Sequence, residues 1–184
     1  MKKSTKIILA VVVIVLIYGF ISYNGLVTLN ESADAQWAQV ETQYQRRFDL
    51  IPNLVNSVQG IFTQEQKIFG DLADARTRYA NAGTPNEKAS AASQVETSLG
   101  RLLVIVENYP QLNSSQSVQD LMSQLEGTEN RVSVERNRFN ETIRQYNTNI
   151  KRFPKNLMAG LFGFGERFYF EATEGTEVAP EVEL

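Results

Sequence analysis

Four charged side chains occupy positions where helical patterns would otherwise place apolar ones, and they are the residues of this sequence best suited to chemistry. They are Arg47, Glu65, Glu129 and Arg136. Two carboxylates can act as acid and base, but a pair of Glu65 and Glu129 would need a cleft between them. Carboxylate-bridged metal sites in helical bundles add histidine ligands, and this chain contains neither histidine nor cysteine. We therefore interpret the four residues as Arg–Glu pairs that set helix register, and we predict no catalytic, cofactor-binding or metal-binding residue.

The elements that must position these charges are predicted to be long helices. Apolar positions recur every three or four residues, which places them on one face of an α-helix, whereas strands would need alternation by twos. The first repeat comprises Trp37, Val40, Tyr44, Arg47, Ile51, Leu54, Val58, Ile61, Glu65, Ile68, Leu72, Ala75 and Tyr79. The later repeats comprise Ala92, Val95, Leu99, Leu102, Val106 and Tyr109, and then Val118, Met122, Leu125, Glu129, Val132, Arg136, Phe139, Ile143, Tyr146, Ile150 and Phe153.

A motif with a proline in its middle lies within the first repeat. Its structural residues are Arg46, Arg47, Asp49, Pro52 and Asn53. A proline inside a helix removes one backbone donor, so it either kinks the helix or ends it with a chain reversal. The repeat keeps its phase across Pro52, which favours the kink. We expect the polar residues to supply hydrogen bonds to the carbonyl group of Phe48, which loses its donor there.

The N-terminus is predicted to be a membrane anchor. Residues 1–6 form a basic N-terminus with three lysines, and residues 7–27 form a charge-free run of 21 residues. At about 1.5 Å per residue this run spans roughly 30 Å, the thickness of the hydrocarbon core of a bilayer. A cleaved signal peptide is the alternative, but residues 18–23 supply no pair of small residues at positions −3 and −1 of a cleavage site. The lysines favour an N-terminus inside the cell and an extracytoplasmic domain.

The rest of the chain divides into three parts. Residues 28–153 are predicted to form a long-helix bundle with helices at 24–82, 86–109 and 114–153, separated by the sequences around Pro85 and Pro110. Residues 154–170 form a glycine-spaced aromatic segment, in which three glycines in six residues argue against a helix. We expect this segment to fold back over the end of the bundle, and a contact with lipid or a partner is the alternative. Residues 171–184 form an acidic tail that we expect to be disordered.

Unequal helix lengths indicate self-association. If Pro52 only kinks the first helix, shorter neighbours leave part of its apolar stripe uncovered, and exposed stripes are rare on monomers. The candidate interface residues are Trp37, Val40, Tyr44, Phe162, Phe164 and Phe168. The predicted fold is thus all-α: an elongated antiparallel bundle of long helices with four helical segments, preceded by one transmembrane helix. Outside the anchor the chain carries 15 basic and 21 acidic residues, since three of its 18 basic residues precede residue 7, and this balance argues against nucleic acid.

Several motifs together resemble the LemA family from about residue 20 to 171. The longest is Arg46–Val55, which reads RRFDLIPNLV. The others are Tyr23–Val27, Glu31, Ala35–Trp37, Glu107–Pro110, Glu129–Arg131, Phe139–Asn140, Arg152–Pro154, Phe162–Phe164 and Phe168–Glu171. The chain departs from the family pattern at Phe139, where tyrosine is more usual.

The resemblance implies a bacterial, membrane-anchored protein built from long helices, with no established catalytic activity. Family relatives are linked to membrane invagination in magnetosome-forming bacteria. We therefore expect a non-enzymatic structural or interaction protein that contacts lipid through residues 7–27, self-associates, binds other membrane proteins and organises the bacterial membrane. The alternatives are an extracytoplasmic receptor or adaptor with a polar pocket near Pro52, and a hydrolase that uses Glu65 and Glu129.

Overall fold

A computed structural model describes residues 3–58 and 66–170 as helices joined by short connections. The helices are α1 (Lys3–Val58), α2 (Gln66–Asn81), α3 (Pro85–Asn108), α4 (Pro110–Asn113), α5 (Gln116–Lys151) and α6 (Lys155–Phe162). No strand occurs in these two ranges, and the prediction of an all-α fold is therefore confirmed. The predictions for Ile61, Glu65 and the tail 171–184 lie outside the described residues.

Helix α1 is 56 residues long and contains the whole N-terminal apolar run. Within the described residues it is the one helix long and apolar enough to cross a membrane, and residues 7–18 of the run are exposed, whereas Ser22 and Leu26 near its end are buried. This finding supports a single-pass membrane protein. Pro52 lies inside α1, which continues to Val58, so the alternative in which the chain reverses at Pro52 is wrong. The kink stays a prediction.

The connection between α2 and α3 is fixed by a capping box. Thr84 precedes α3 with an extended backbone, and its hydroxyl accepts a hydrogen bond from the backbone N–H of Glu87. The Glu87 carboxylate in turn accepts from the backbone N–H groups of Gly83, at 2.9 Å, and Thr84, at 3.1 Å. These bonds satisfy donors that the first turn of a helix leaves without partners. Pro85 then occupies the first turn, where its missing N–H costs nothing.

The C-terminal segment departs from the sequence-based expectation at α6. We expected residues 154–170 to be non-helical, but residues 155–162 form two turns of helix with Gly160 inside. Gly163 ends this helix with φ of 75°, a left-handed conformation that favours glycine, and Phe164 donates a backbone hydrogen bond to the Ala159 carbonyl. Gly160 therefore lies in the interior of α6, whereas Gly163 marks the end of that helix.

The chain divides into two compact units. The first unit comprises Met1–Ala38 and Asn137–Tyr169, and the second comprises Gln39–Arg136 and Phe170–Leu184. In the first unit, Leu26 packs with Tyr146, Ile150 and Ala159, with Leu29, Met158 and Phe164 around them. In the second unit the core holds the apolar repeats of α1, α2, α3 and α5. Its buried members include Val40, Tyr44, Phe48, Ile51, Leu54, Leu72, Ala75, Val95, Leu99, Leu102, Val106, Leu125 and Val132.

In the first unit, the segment after α6 packs against α1 and α5 and covers Trp37. The Trp37 ring lies 5.5 Å from the ring of Phe139 and 6.0 Å from that of Phe168. The side chain of Asn147 donates to the carbonyl of Arg167 and accepts from its backbone N–H. Arg167 donates to the Asn30 carbonyl at 3.1 Å and pairs with Asp34. Trp37 is therefore buried by the chain's own C-terminal segment.

The prediction of an exposed stripe at Trp37, Val40 and Tyr44 is thus wrong. All three side chains are buried within the single chain. In the second unit, Tyr44 is covered by Phe48 and Tyr79. The prediction failed because it compared helix lengths and did not count the residues that follow α6 as cover. Of the other candidate interface residues, Phe162 is exposed, whereas Phe164 and Phe168 are half-buried.

We predict that Thr84→Ala lowers the free energy of unfolding by about 1 kcal/mol, because it removes the hydroxyl that caps α3. Thr84→Ser keeps that hydroxyl and is the matched control. Urea denaturation of the full chain in mild detergent, followed by circular dichroism, compares the two. Equal stability of Thr84→Ala and Thr84→Ser would show that the cap contributes nothing.

Candidate functional site: a buried charged cluster

The second unit contains a group of charged and polar side chains within its apolar core, which we call the charged cluster: Tyr44, Arg47, Glu96, Glu129 and Arg136. Helix α1 supplies two members, α3 supplies Glu96, and α5 supplies the other two. Each member lies on a face that otherwise presents apolar residues to the core. The cluster therefore brings together three of the four charges singled out in the sequence, and Glu65 lies outside the described residues.

Arg136 is the centre of the cluster. Its Nε donates to the Tyr44 hydroxyl at 2.8 Å, and its Nη2 donates to the same hydroxyl and to Glu96 Oε2, the latter at 2.7 Å. The guanidinium carbon also lies 5.3 Å from the centroid of the Tyr44 ring and 5.2 Å from that of Phe170. Arg136 thus combines an ion pair with contacts to two aromatic faces, which a planar guanidinium can do and an ammonium group cannot do equally well.

Arg47 forms the second ion pair of the cluster. Its side chain is buried and pairs with Glu129 on α5, whose side chain is 47% exposed. Both arginines therefore pair with glutamates, but Arg136 pairs with Glu96, which is not one of the predicted seam charges. Within the described residues, however, Arg47 Nε and Glu96 Oε1 are buried without a hydrogen-bond partner. Buried polar atoms of this kind cost free energy, so the cluster contributes more to pairing specificity than to net stability.

Burial dominates the electrostatics of the cluster. Burial raises the pKa of the Glu96 carboxyl, and the attraction of Arg136 opposes this rise without cancelling it. Burial also raises the pKa of the Tyr44 hydroxyl, with a further contribution from the charge of Glu96. Burial lowers the pKa of Arg136, but Tyr44 and Glu96 outweigh that effect and leave it raised. At neutral pH, Tyr44 is therefore a neutral acceptor for a charged guanidinium.

The motif around Pro52 has a different role from the one expected. Arg47 does not support the Phe48 carbonyl but pairs with Glu129. Arg46, Asp49 and Asn53 are exposed. Asp49 accepts a hydrogen bond from Gln45 at 2.7 Å, and the Asn53 carbonyl accepts from Ser57 at 2.8 Å. Arg46, Asp49 and Asn53 thus face solvent, because a helix that continues past Pro52 turns them away from the core, whereas Arg47 points into it.

Two open grooves in the second unit lie along α2, and Pro52 is not among the residues that line them. One of about 510 Å³ is lined by Asp71, Asp74, Ala75, Arg78, Ser90, Ser93, Gln94, Thr97 and Ser98. Another of about 560 Å³ is lined by α2 residues with Gln45, Phe48 and Lys88. Within residues 3–58 and 66–170, no three acidic side chains lie close enough together to hold a metal ion. The receptor alternative, which needs a pocket near Pro52, stays a prediction.

Glu96 is the member of the cluster that sequence reasoning missed. It follows the buried residue Val95, and it lies four residues after Ala92 and three before Leu99. This spacing places it on the apolar face of α3 and could have identified it. The predicted seam charges all occupy repeat positions themselves, whereas Glu96 lies beside one.

We predict that Glu96→Gln changes how stability depends on pH. A carboxyl whose pKa is raised on folding keeps its proton in the folded chain while the unfolded chain, with its ordinary value near 4.5, has lost it. The wild-type free energy of unfolding should therefore fall, relative to Glu96→Gln, as pH rises from 4.5 through the folded pKa. Urea denaturation of both proteins at pH 4 to 8 measures the difference. A difference that is constant, or that grows in favour of the wild type, would contradict the raised pKa.

We also predict that Arg136→Met costs about 3 kcal/mol of stability, because it leaves the buried Glu96 carboxylate without its cation. The double variant Arg136→Met, Glu96→Leu should recover most of this loss. Arg131→Met, at an exposed position of the same helix, is the matched control and should change little. If the double variant is no more stable than Arg136→Met alone, the loss of stability does not come from the unpaired Glu96 carboxylate.

Curated relatives include proteins named for magnetosomes. The chain is 29% identical to the magnetosome proteins MamQ 1 and MamQ 2 of Paramagnetospirillum magneticum, with 81% of this chain and 64% of each relative covered. It is also 29% identical to the magnetosome protein MamQ of Magnetospirillum gryphiswaldense, with 80% of this chain and 64% of the relative covered. The chain thus spans somewhat less than two thirds of the length of these relatives.

The family comparison covers most of the chain. The model of the LemA family matches residues 36–184, a range that contains all five residues of the charged cluster and the motif around Pro52. The resemblance drawn from the motifs is therefore confirmed, and this chain belongs to the LemA family.

Proposed function

We propose that this chain is a membrane-anchored, non-enzymatic structural protein that self-associates through its long helices and organises the bacterial membrane. The observation that carries the proposal is α1. It is one helix from Lys3 to Val58, it contains an apolar run whose residues 7–18 are exposed, and its later residues bury an apolar stripe in packed cores. Such a helix connects its folded cores to the bilayer through continuous helical backbone, without a flexible linker.

The orientation follows from charge. Three lysines precede the apolar run, and the next basic residue is Arg46. Basic residues are retained on the cytoplasmic side of bacterial membranes, so we propose an N-terminus inside and an extracytoplasmic helical region. Short connections between α2 and α3, and between α3 and α5, support antiparallel packing of these helices as a bundle.

The chemistry of the described residues supports a structural role. The charges of the cluster form two Arg–Glu pairs, and the tyrosine among them is a neutral hydrogen-bond acceptor. Such groups fix which helix faces meet, whereas acid–base catalysis needs a group that exchanges a proton with a substrate near neutral pH. The magnetosome proteins among the relatives agree with a role at a bacterial membrane. Shaping of that membrane is the part of this proposal taken from the family resemblance.

Self-association must use outward-facing surfaces, because Trp37, Val40 and Tyr44 are buried. In the described part of the second unit, the large apolar side chains that remain exposed are Val104 on α3, Tyr109, and Val134 on α5. Confinement to a membrane raises the local concentration of copies, so even a small contact of this kind can hold them together. We assign Val134 to that contact, since it lies on α5, the longest helix outside the anchor.

We predict that the full chain forms particles of more than one copy in mild detergent at micromolar concentration. Light scattering coupled to size-exclusion chromatography measures the particle mass. Val134→Glu should shift the population towards monomer, because it places a charge in an apolar contact. Ser133→Glu adds the same charge to the neighbouring exposed position and is the matched control.

Two results would count against this proposal in different ways. A strictly monomeric wild-type particle, in detergent and after reconstitution in vesicles, would exclude self-association. If Val134→Glu and Ser133→Glu cause equal dissociation, Val134 is not the residue that forms the contact, although the chain still self-associates.

A further inference from the structure

The short helix α6 exposes a cluster of large apolar side chains beside the membrane anchor. Leu157 is 58% exposed, Leu161 is 71% exposed and Phe162 is 50% exposed, while Phe153, just before the helix, is 79% exposed. Leu157 and Leu161 are one turn apart and share a face. Exposing an apolar patch of this kind to water costs free energy, and such patches usually mark a surface that contacts another molecule or a membrane.

The contacts of α6 place it beside the membrane-spanning part of α1. The sulfur of Met158 lies 3.7 Å from the position that a Cβ atom on Gly19 would occupy, so the two helices are close there. The ring of Phe162 lies 4.8 Å from that of Tyr23. Gly19 and Tyr23 both belong to the charge-free run 7–27. A helix that touches these residues lies at the same depth as they do, within or at the edge of the bilayer.

The two helices share an apolar groove of about 430 Å³. Its lining comprises Val15, Leu16, Gly19, Phe20 and Tyr23 from α1 with Met158, Leu161 and Phe162 from α6. Apart from the Tyr23 hydroxyl, none of these side chains carries a hydrogen-bonding group. The exposed surface of α6 is thus continuous with exposed residues of the anchor, such as Leu16 and Phe20, which must face lipid if the anchor spans a membrane.

Basic residues precede this apolar patch. Lys151, Arg152 and Lys155 lie at the end of α5 and the start of α6. Lys151 pairs with Glu166 at 2.5 Å, and Lys155 donates to Asn149 at 2.7 Å. The core of the first unit packs Ile150 against Leu26, near the end of the charge-free run. The basic residues therefore sit at the level of lipid headgroups, which is the arrangement of an interfacial amphipathic helix.

We propose that α6 is a second membrane-contacting element, whose exposed face (Phe153, Leu157, Leu161 and Phe162) inserts among phospholipid acyl chains beside the anchor, with the groove filled by an acyl chain. The inference rests on anchoring through residues 7–27 and is independent of self-association. It commits the patch to lipid because its surface continues that of the anchor. Each chain then contacts the membrane through two elements, the anchor helix and the shorter helix α6 beside it.

The test uses the full chain in vesicles of phosphatidylcholine and phosphatidylglycerol. Since the sequence contains no cysteine, a single cysteine can carry an environment-sensitive fluorophore. Leu157→Cys and Leu161→Cys report on α6, Leu16→Cys reports on the anchor, and Ala80→Cys reports on an exposed position of α2 outside the apolar run. We expect the α6 positions and Leu16 to show a several-fold lower quenching by iodide than Ala80, and to be quenched by doxyl-labelled lipids.

Each other outcome overturns the inference. If the α6 positions match Ala80 while Leu16 is quenched by lipid, the anchor holds and α6 lies in water. If the α6 positions are shielded from iodide but insensitive to doxyl lipids, the patch faces protein rather than lipid. If Leu16 itself is quenched by iodide, anchoring fails and the inference fails with it.

Discussion

Burial of the apolar stripe of α1 is the constraint on which the rest of the structure depends. A helix this long presents more apolar surface than any single neighbour can cover, so different stretches of it are covered by different means. In the first unit, Phe139 and Phe168 cover Trp37. In the second unit, α2 contributes Tyr79 against Tyr44 and Phe48. Residues 7–18 stay exposed in the described chain, and a bilayer can supply the cover that the protein does not.

Charge within the stripe determines which faces can meet. An arginine at an apolar position is tolerated only where a carboxylate and hydrogen-bond acceptors are available. A buried charge without a partner lowers the free energy of unfolding by about 3 kcal/mol or more. Arg136 finds Glu96 and the hydroxyl of Tyr44, and Arg47 finds Glu129. A shift of α5 by one turn along α1 would separate these partners. Purely apolar stripes would tolerate such a shift far better, since one leucine resembles the next.

The sequence predicted these helices well because their repeats are long and their ends carry strong local signals. Thr84 and Pro85 mark the start of α3, and the described positions of the predicted stripe from Trp37 to Tyr79 are buried, apart from the half-buried Ile68. The failures concern contacts between residues far apart in the sequence. Nothing local indicates that Phe168 covers Trp37, or that Glu96 meets Arg136. Helix α6 was missed because glycine lowers helix propensity, whereas its packing against Gly19 and Leu26 outweighs that cost.

The packing of Arg167 and Phe168 against α1 also determines when Trp37 can become buried during synthesis. Trp37 leaves the ribosome long before the residues that bury it, which lie more than one hundred positions later in the chain. The aromatic side chain must therefore stay uncovered until Phe168 has been made, while the apolar run ahead of it can already enter the membrane. Insertion can thus precede folding of the first unit, which Arg167 and Phe168 complete. A nascent chain that stops short of Arg167 would be tethered to lipid with its tryptophan still open to solvent.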